Sequence, residues 1–94
     1  MLFRSEQLNG LVLQVYPNPA SADATLEFIT SRHYDAVSIR ALDVTGRAVW
    51  NGYEGSLAMG AQRFDLPTAM WSPGTYLIQV EAEGRRITEQ LMVR

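Results

Sequence analysis

Hydrophobic and polar residues alternate most clearly in the segment Val37 to Trp50, near the middle of the chain. Apolar residues occupy every second position at its start, where Ser38 and Arg40 separate them, as expected when successive side chains of a strand point to opposite faces. Asp43 and Gly46 then bracket a turn, because a first-position aspartate accepts backbone N–H bonds and a fourth-position glycine permits a left-handed conformation. Apolar residues return at once, so the pattern predicts a β-hairpin.

Two strands are predicted before this hairpin. Leu11 to Val15 form a first short strand, which ends at Tyr16-Pro17-Asn18-Pro19 because the two prolines remove backbone donors. Alternation resumes at Ala24 to Ile29, where Leu26 and Phe28 are expected to point inward.

Glycine is frequent in the segment that follows the hairpin. Asn51 to Gly60 contains three glycines and is predicted to be a loop, with a short irregular strand around Ser56-Leu57. Phe64 and Leu66 alternate with polar neighbours and mark a fifth strand, which ends at Pro67.

A corner over Met70 to Tyr76 leads into a sixth strand, in which Tyr76, Ile78 and Val80 share one face. A tyrosine just after a corner that contains Gly74 is similar to the tyrosine corner of immunoglobulin-like sandwiches, where the ring is buried and the hydroxyl bonds to upstream backbone. Gly74 and Tyr76 are therefore predicted to be structural.

The last strand follows a second predicted turn. Glu81 to Gly84 repeats the acid-x-x-Gly spacing of Asp43 to Gly46, which predicts another bulged hairpin leading into Arg86 to Val93. Apolar residues of that strand would share a face with Glu89, which lies either at the sheet rim or at a bulge that shifts the phase.

These elements predict an all-β fold, an immunoglobulin-like antiparallel β-sandwich of about seven strands. The 94 residues suit one domain, and an apolar share of 47% is ordinary for a globular one. Because the chain contains no cysteine, no disulfide is expected. A net charge of -2 gives no basic excess for nucleic acid, which is not expected as a partner.

Residues 1 to 10 are polar and weakly patterned, and they are predicted to be a linker or a segment near a cleavage site, with the folded domain at 11 to 94. The N-terminus lacks the apolar core of a signal peptide, and no apolar run approaches the roughly 20 residues that span a bilayer. If the domain is exported, its export signal is expected on a longer precursor.

Few residues suit catalysis or metal binding. His33 is the sole histidine, and no cysteine can join it as nucleophile or ligand, so a solvated side chain is the favoured interpretation. Asp43 is expected to form its turn rather than bind metal, since no D-x-D-type calcium loop surrounds it. We therefore predict no enzymatic activity and no cofactor.

Three large aromatic residues, Trp50, Tyr53 and Trp71, permit two interpretations. Aromatic faces stack well on sugars, so the three could form a binding platform. Large aromatics of a small sandwich more often fill the core or its ends, and the core is favoured by about three to one.

Five motifs occur in a characteristic order. They are Val15-Tyr16-Pro17-Asn18-Pro19-Ala20-Ser21, Thr25-Leu26-x-Phe28, Asp43-Val44-Thr45-Gly46-Arg47-x-Val49, Gly74-Thr75-Tyr76 and Leu91-Met92-Val93-Arg94. Together they resemble, over residues 11 to 94, the type A C-terminal sorting domain of the type IX secretion system of Bacteroidetes. Two positions depart from the usual pattern: Ala22 intervenes before Asp23, and Leu42 precedes the Asp43 turn.

This resemblance implies a secretion signal. Family members lie at the C-terminus of larger cargo proteins that cross the periplasm. The folded sandwich directs this cargo through the outer-membrane translocon to the cell surface or extracellular space. A surface sortase typically removes the domain and joins the cargo to anionic lipopolysaccharide. Expected partners are the translocon and sortase components, the N-terminal cargo domains of the same precursor and, as a further candidate, anionic lipopolysaccharide.

The predicted recognition surface combines the Pro17-Asn18-Pro19 loop, the hairpin end at Gly46 and Arg47, and the terminal strand with Leu91, Val93 and Arg94. Ordinary solubility explains Arg47 equally well. The alternative function is a sandwich that stays attached to its cargo and binds surface glycan or a partner protein. It predicts an exposed aromatic patch.

Overall fold

The computed structural model describes residues 12–94, which contain seven strands and one 3-10 helix. The strands are β1 (Gln14–Tyr16), β2 (Ala24–Thr30), β3 (Tyr34–Leu42), β4 (Ala48–Leu57), β5 (Gly60–Leu66), β6 (Gly74–Ala82) and β7 (Arg85–Val93), and the 3-10 helix covers Thr68–Met70. Within these residues no helix has the length and apolar character needed to cross a membrane.

Two antiparallel sheets form a sandwich. The smaller has the strand order β1-β2-β5, and the larger has the order β4-β3-β6-β7. This arrangement confirms the predicted all-β sandwich. Since the chain has no cysteine, no disulfide joins the two sheets.

The core lies between the inward faces of the two sheets. Leu26 and Phe28 of β2 are buried as predicted, in one cluster with Ile39 of β3 and Ile78 of β6. Burial of each such side chain stabilises the fold by about 1.5 to 3 kcal/mol. The buried side chains of a few strands therefore suffice to stabilise a domain of this size. Tyr76, Ile78 and Val80 share the buried face of β6, as the alternation predicted.

β3 and β4 form the predicted central hairpin, but the predicted loop over Asn51 to Gly60 is wrong. β4 continues to Leu57, and β5 already begins at Gly60. The register between β4 and β3 shifts between Ile39 and Arg40. The glycine-rich strand β4 therefore stays paired with β3 through bulges. Gly52 supplies space, because a Cβ atom there would lie 2.0 Å from the Trp50 ring.

The second hairpin forms, but its predicted bulged turn is wrong. Ala82 pairs directly with Arg85, so the loop has only two residues, Glu83 at φ 55° and Gly84 at φ 74°. Positive φ at both positions is the type I′ geometry, which suits the twist of a two-residue hairpin. Glu81 therefore lies in β6 and not in the turn.

Glu89 is half-buried on the edge strand β7, opposite Ile78. The pairing of β6 with β7 continues without a shift from Gly74↔Val93 to Ala82↔Arg85. Of the two alternatives for Glu89, the sheet rim is confirmed and the bulge is wrong.

β1 is shifted relative to the prediction. It covers Gln14–Tyr16, where Tyr16 pairs with Thr25, rather than residues 11 to 15. Pro17 still ends it. Leu11 and the predicted linker at 1 to 10 lie outside the described residues.

Aromatic rings pack along the open side between β4 and β5. The Tyr53 and Phe64 centroids are 5.4 Å apart, and Trp71 lies 6.2 Å from Trp50 and 4.9 Å from Tyr76. The planes of the Trp50 and Trp71 rings are inclined by 53°, and both rings are half-buried against the core. This arrangement agrees with the core interpretation, because a sugar platform requires exposed, nearly coplanar faces.

Candidate functional site

Strand register brings the three candidate recognition segments to one end of the sandwich. Leu42, the last residue of β3, pairs with Leu77, and Gly74 pairs with Val93. The turn after β3 and the end of β7 therefore lie at the same end of the larger sheet. Only β6 separates these strands, so their axes are about 10 Å apart.

The Pro17-Asn18-Pro19 loop is bound to the outer edge of β7. The Asn18 side chain donates from Nδ2 to the Gln90 carbonyl at 3.0 Å and accepts at Oδ1 from the Met92 N–H at 3.0 Å. It thereby bonds to the strand edge much as a neighbouring strand would. Both prolines of the loop follow cis peptide bonds.

Ala20 extends this attachment toward the chain end. Its N–H donates to the Met92 carbonyl and its carbonyl accepts from the Arg94 N–H, both at 2.8 Å. Four hydrogen bonds thus join the loop to the terminal strand. The two segments present one surface although they are distant in sequence.

Replacing Asn18 by alanine should loosen this attachment. Loss of two hydrogen bonds at a partly solvated edge costs about 1 to 2 kcal/mol, which lowers the melting temperature by several degrees. Amide hydrogen exchange gives the local test. We expect faster exchange at the Met92 N–H and little change at Ile39, which lies in the inner strand β3. Unchanged protection of Met92 would contradict this account.

The β3–β4 turn is organised by the Asp43 carboxylate. Its Oδ1 accepts from the Thr45 N–H at 2.9 Å, the Thr45 hydroxyl at 2.6 Å and the Arg47 N–H at 3.1 Å. The Gly46 N–H donates to the Asp43 carbonyl, and Gly46 has φ +88°. The predicted turn is confirmed, with Asp43 as its former.

These bonds lower the pKa of Asp43, chiefly through the Thr45 hydroxyl and further through the two backbone N–H groups. A carboxyl whose folded-state pKa lies below its unfolded value stabilises the fold above the unfolded pKa, which is ordinarily near 4. That contribution should disappear as pH falls through the lower folded pKa. Thermal melting between pH 7 and pH 2 should show a decline that Asp43→Asn reduces, whereas an equal decline in both proteins would contradict the role of this carboxylate.

Arg47 projects from this turn and is mostly exposed. Its guanidinium lies 3.3 Å from Asp43 Oδ2, and 79% of its side chain is accessible. An ion pair whose arginine is this exposed contributes little to stability, so its loss should leave the fold intact. Arg94 is also exposed, and its backbone is fixed by Ala20. Both arginines are available to a partner.

Leu91 and Val93 differ from the other recognition candidates because they lie in the core. Both are buried in the core, at 0% and 4% exposure, so their side chains do not reach the surface of the folded domain. Gly74 opens β6, and Tyr76 is buried with its hydroxyl donating to the Ser72 carbonyl at 2.5 Å. This geometry is the predicted tyrosine corner. These four residues shape the site through the fold.

His33 lies away from this surface, at the end of the sandwich where β2 leads into β3. Its Nε2 is 3.0 Å from Asp35 Oδ1, and both side chains are exposed to solvent. A catalytic pair normally works in a cleft that limits water, which this position does not provide. Among residues 12–94 no three histidine, aspartate or glutamate side chains gather into a metal-binding group.

Sequence patterns did not indicate the hydrogen bonds between Asn18 and β7. The residue was a recognition candidate, but its partners are 72 and 74 positions away, and no local pattern indicates such a contact. The same holds for Ala20, which is completely buried and bridges to Val93.

A seven-stranded sandwich with a tyrosine corner, and with a loop, a turn and the last strand at one end, belongs to the class of small all-β sandwich domains. Comparison with family models then identifies the particular family: residues 14–94 match the secretion-system C-terminal sorting domain, and the chain belongs to it. It is thus a sorting signal of type IX secretion, which implies interaction with the secretion machinery and export toward the outer membrane and cell surface. A search of curated proteins found no match.

Proposed function

We propose that this domain directs a larger cargo through the type IX translocon by presenting one rigid recognition surface. This surface consists of the Pro17-Asn18-Pro19 loop, the turn with Gly46 and Arg47, and the terminal strand ending in Arg94. The four hydrogen bonds from Asn18 and Ala20 to β7 are the observation that carries the proposal. They fix two distant segments in one shape, as a signal that is recognised in the folded state requires.

Family membership supports the later steps of the proposal. The domain passes through the periplasm with its cargo, a surface sortase then removes it, and the cargo is joined to anionic lipopolysaccharide. In this scheme the domain is a substrate and catalyses nothing. Cleavage occurs in or before residues 1 to 10.

Arg47→Ala tests the recognition surface. Residues 1–94 are fused behind a periplasmic reporter in a bacterium with a type IX system, and surface reporter is measured. We expect a several-fold decrease with an unchanged melting curve, because the Arg47 side chain is mostly exposed. Arg63→Ala is the matched control, since Arg63 forms a similarly exposed ion pair with Glu27 on the other sheet. Equal delivery by both variants would favour a role of Arg47 in solubility alone.

Mass spectrometry of the mature reporter tests the fate of the domain. Sorting with removal predicts a surface reporter that lacks residues 11 to 94 and carries a new C-terminal attachment. A surface reporter that keeps the complete domain would favour the retained anchoring module instead.

A further inference from the structure

Apolar side chains lie together on the outer face of the larger sheet, beside the recognition surface. Leu42 of β3 is the cross-strand neighbour of Leu77 of β6, and Met92 of β7 lies diagonal to Leu77 because it pairs with Thr75. Leu77 is 37% exposed and Met92 46% exposed, whereas Leu42 is half-buried. These three residues, the Leu77 patch, occupy neighbouring positions on three adjacent strands, beside the polar residues Thr75 and Gln90, and the core does not use them.

The rest of this face is polar. Arg40 and Gln79 form the next row of cross-strand neighbours. Ser38, Glu54 and Glu81 form the row after that, at the end opposite the Leu77 patch. Apolar side chains on this face are therefore confined to the end that carries the recognition surface.

Two exposed arginines border the patch. Arg47 extends from the turn after β3, and Arg94 follows Met92 by two residues. Asp35, Glu54, Glu81 and Glu83 line a shallow groove at the far end, where Glu81 pairs with Arg86 and Glu83 pairs with Arg32. A partner with carboxylates would be attracted to the exposed arginines beside the patch.

We propose that the Leu77 patch is a docking surface for a translocon component whose complementary surface is apolar and bordered by carboxylates; this inference rests on the proposed sorting function. The patch adjoins the turn of Arg47 and the terminal strand, so one partner can contact all three. Three apolar side chains are too few for the roughly 800 Å² per partner of a stable complex. The patch suits a transient contact with a cargo domain in passage, rather than pairing of two copies.

The test is surface delivery of the reporter fused to residues 1–94, with apolar contacts removed from the patch. We expect Leu77→Thr with Met92→Thr to reduce surface reporter at least about tenfold, the factor that corresponds to about 1.4 kcal/mol of binding. Threonine preserves strand propensity. Ile29→Thr with Met59→Thr is the matched control, because both residues are highly exposed away from the patch, at 70% and 69%. The control should be delivered as well as the parent.

A variant with one substitution tests the patch even if the double variant fails to fold. Met92→Glu changes one exposed residue on the edge strand, and melting curves should show a domain of nearly parental stability. We expect the same loss of delivery, because the new carboxylate repels an acidic border. Arg47→Glu should lose delivery as well.

Each outcome distinguishes the patch from the sorting function. If the parent fusion stays inside the cell, the sorting function fails and the inference falls with it. Normal delivery of the Leu77/Met92 variants beside a delivered parent overturns only the patch, and an equal loss in the Ile29/Met59 control also overturns it. Normal delivery of Arg47→Glu would contradict the acidic border.

Discussion

Leu91→Ala should lower the free energy of unfolding by about 2 to 5 kcal/mol, and surface delivery should be lost as a consequence. Leu91 is completely buried in the middle of the packed face of β7, between the buried residues Ile87 and Val93. Truncation leaves a cavity that the paired strands cannot collapse around. Because small domains have only about 5 to 15 kcal/mol of stability, much of the population would unfold before export. Chemical denaturation of the purified domain measures the effect.

A neighbouring residue provides the control for this prediction. Gln90→Ala changes an exposed side chain on the same strand, while the Gln90 carbonyl still accepts from Asn18. We expect the free energy of unfolding to change by no more than about 0.5 kcal/mol. If Leu91→Ala kept the parental denaturation midpoint but lost delivery, Leu91 would contact the translocon directly, and its assignment to the core would be wrong.

Gly46→Val should destabilise the domain by about 1 to 2 kcal/mol or more. Gly46 has φ +88°, where a β-branched side chain is strained even though no atom lies within 4 Å of the position of its Cβ. The cost is thus conformational rather than a steric clash. A melting temperature lower by roughly 4 to 8 °C per kcal/mol is expected for a domain of this size, with reduced delivery as the consequence.

Gly46→Asn separates folding from recognition at the same position. Asparagine tolerates the left-handed conformation better than valine, so it should restore most of the stability and the delivery. Equal destabilisation by both variants would contradict the conformational explanation. Restored stability without delivery would instead show that the translocon requires a bare backbone at this turn.

Local patterns were sufficient for the elements in which short-range chemistry decides the structure. Asp43 and Gly46 specify their turn through bonds within five residues, and Tyr76 reaches a carbonyl four residues upstream. Alternation likewise placed Leu26 and Phe28 in the core. For these residues the sequence pattern and the tertiary contacts favour the same structure.

Predictions failed where tertiary contacts override local preference. Glycines at 52 and 55 indicated a loop, but pairing with β3 and packing of Trp50 over Gly52 keep the segment in β4. Glu81 was predicted to begin a turn, but it pairs with Arg86 and therefore lies in β6. The attachment of Asn18 to β7 depends on strand order, which no local pattern contains.

Burial divides the candidate recognition residues into two groups with different expected phenotypes. Leu91 and Val93 act through stability, so their substitution should lower melting temperature and delivery together. Arg47 and Arg94 are exposed, so their substitution should lower delivery alone. Melting curves measured beside every delivery assay therefore distinguish a contact residue from a folding residue.

The most direct test of the sorting function compares one reporter in two strains. A periplasmic reporter carrying residues 1–94 is expressed in a bacterium with a complete type IX system and in the same strain without its translocon, and protease accessibility on intact cells measures surface delivery. We predict accessible reporter only when both the domain and the translocon are present. Reporter that remains in the periplasm of the complete strain, or that reaches the surface without the translocon, would contradict the account.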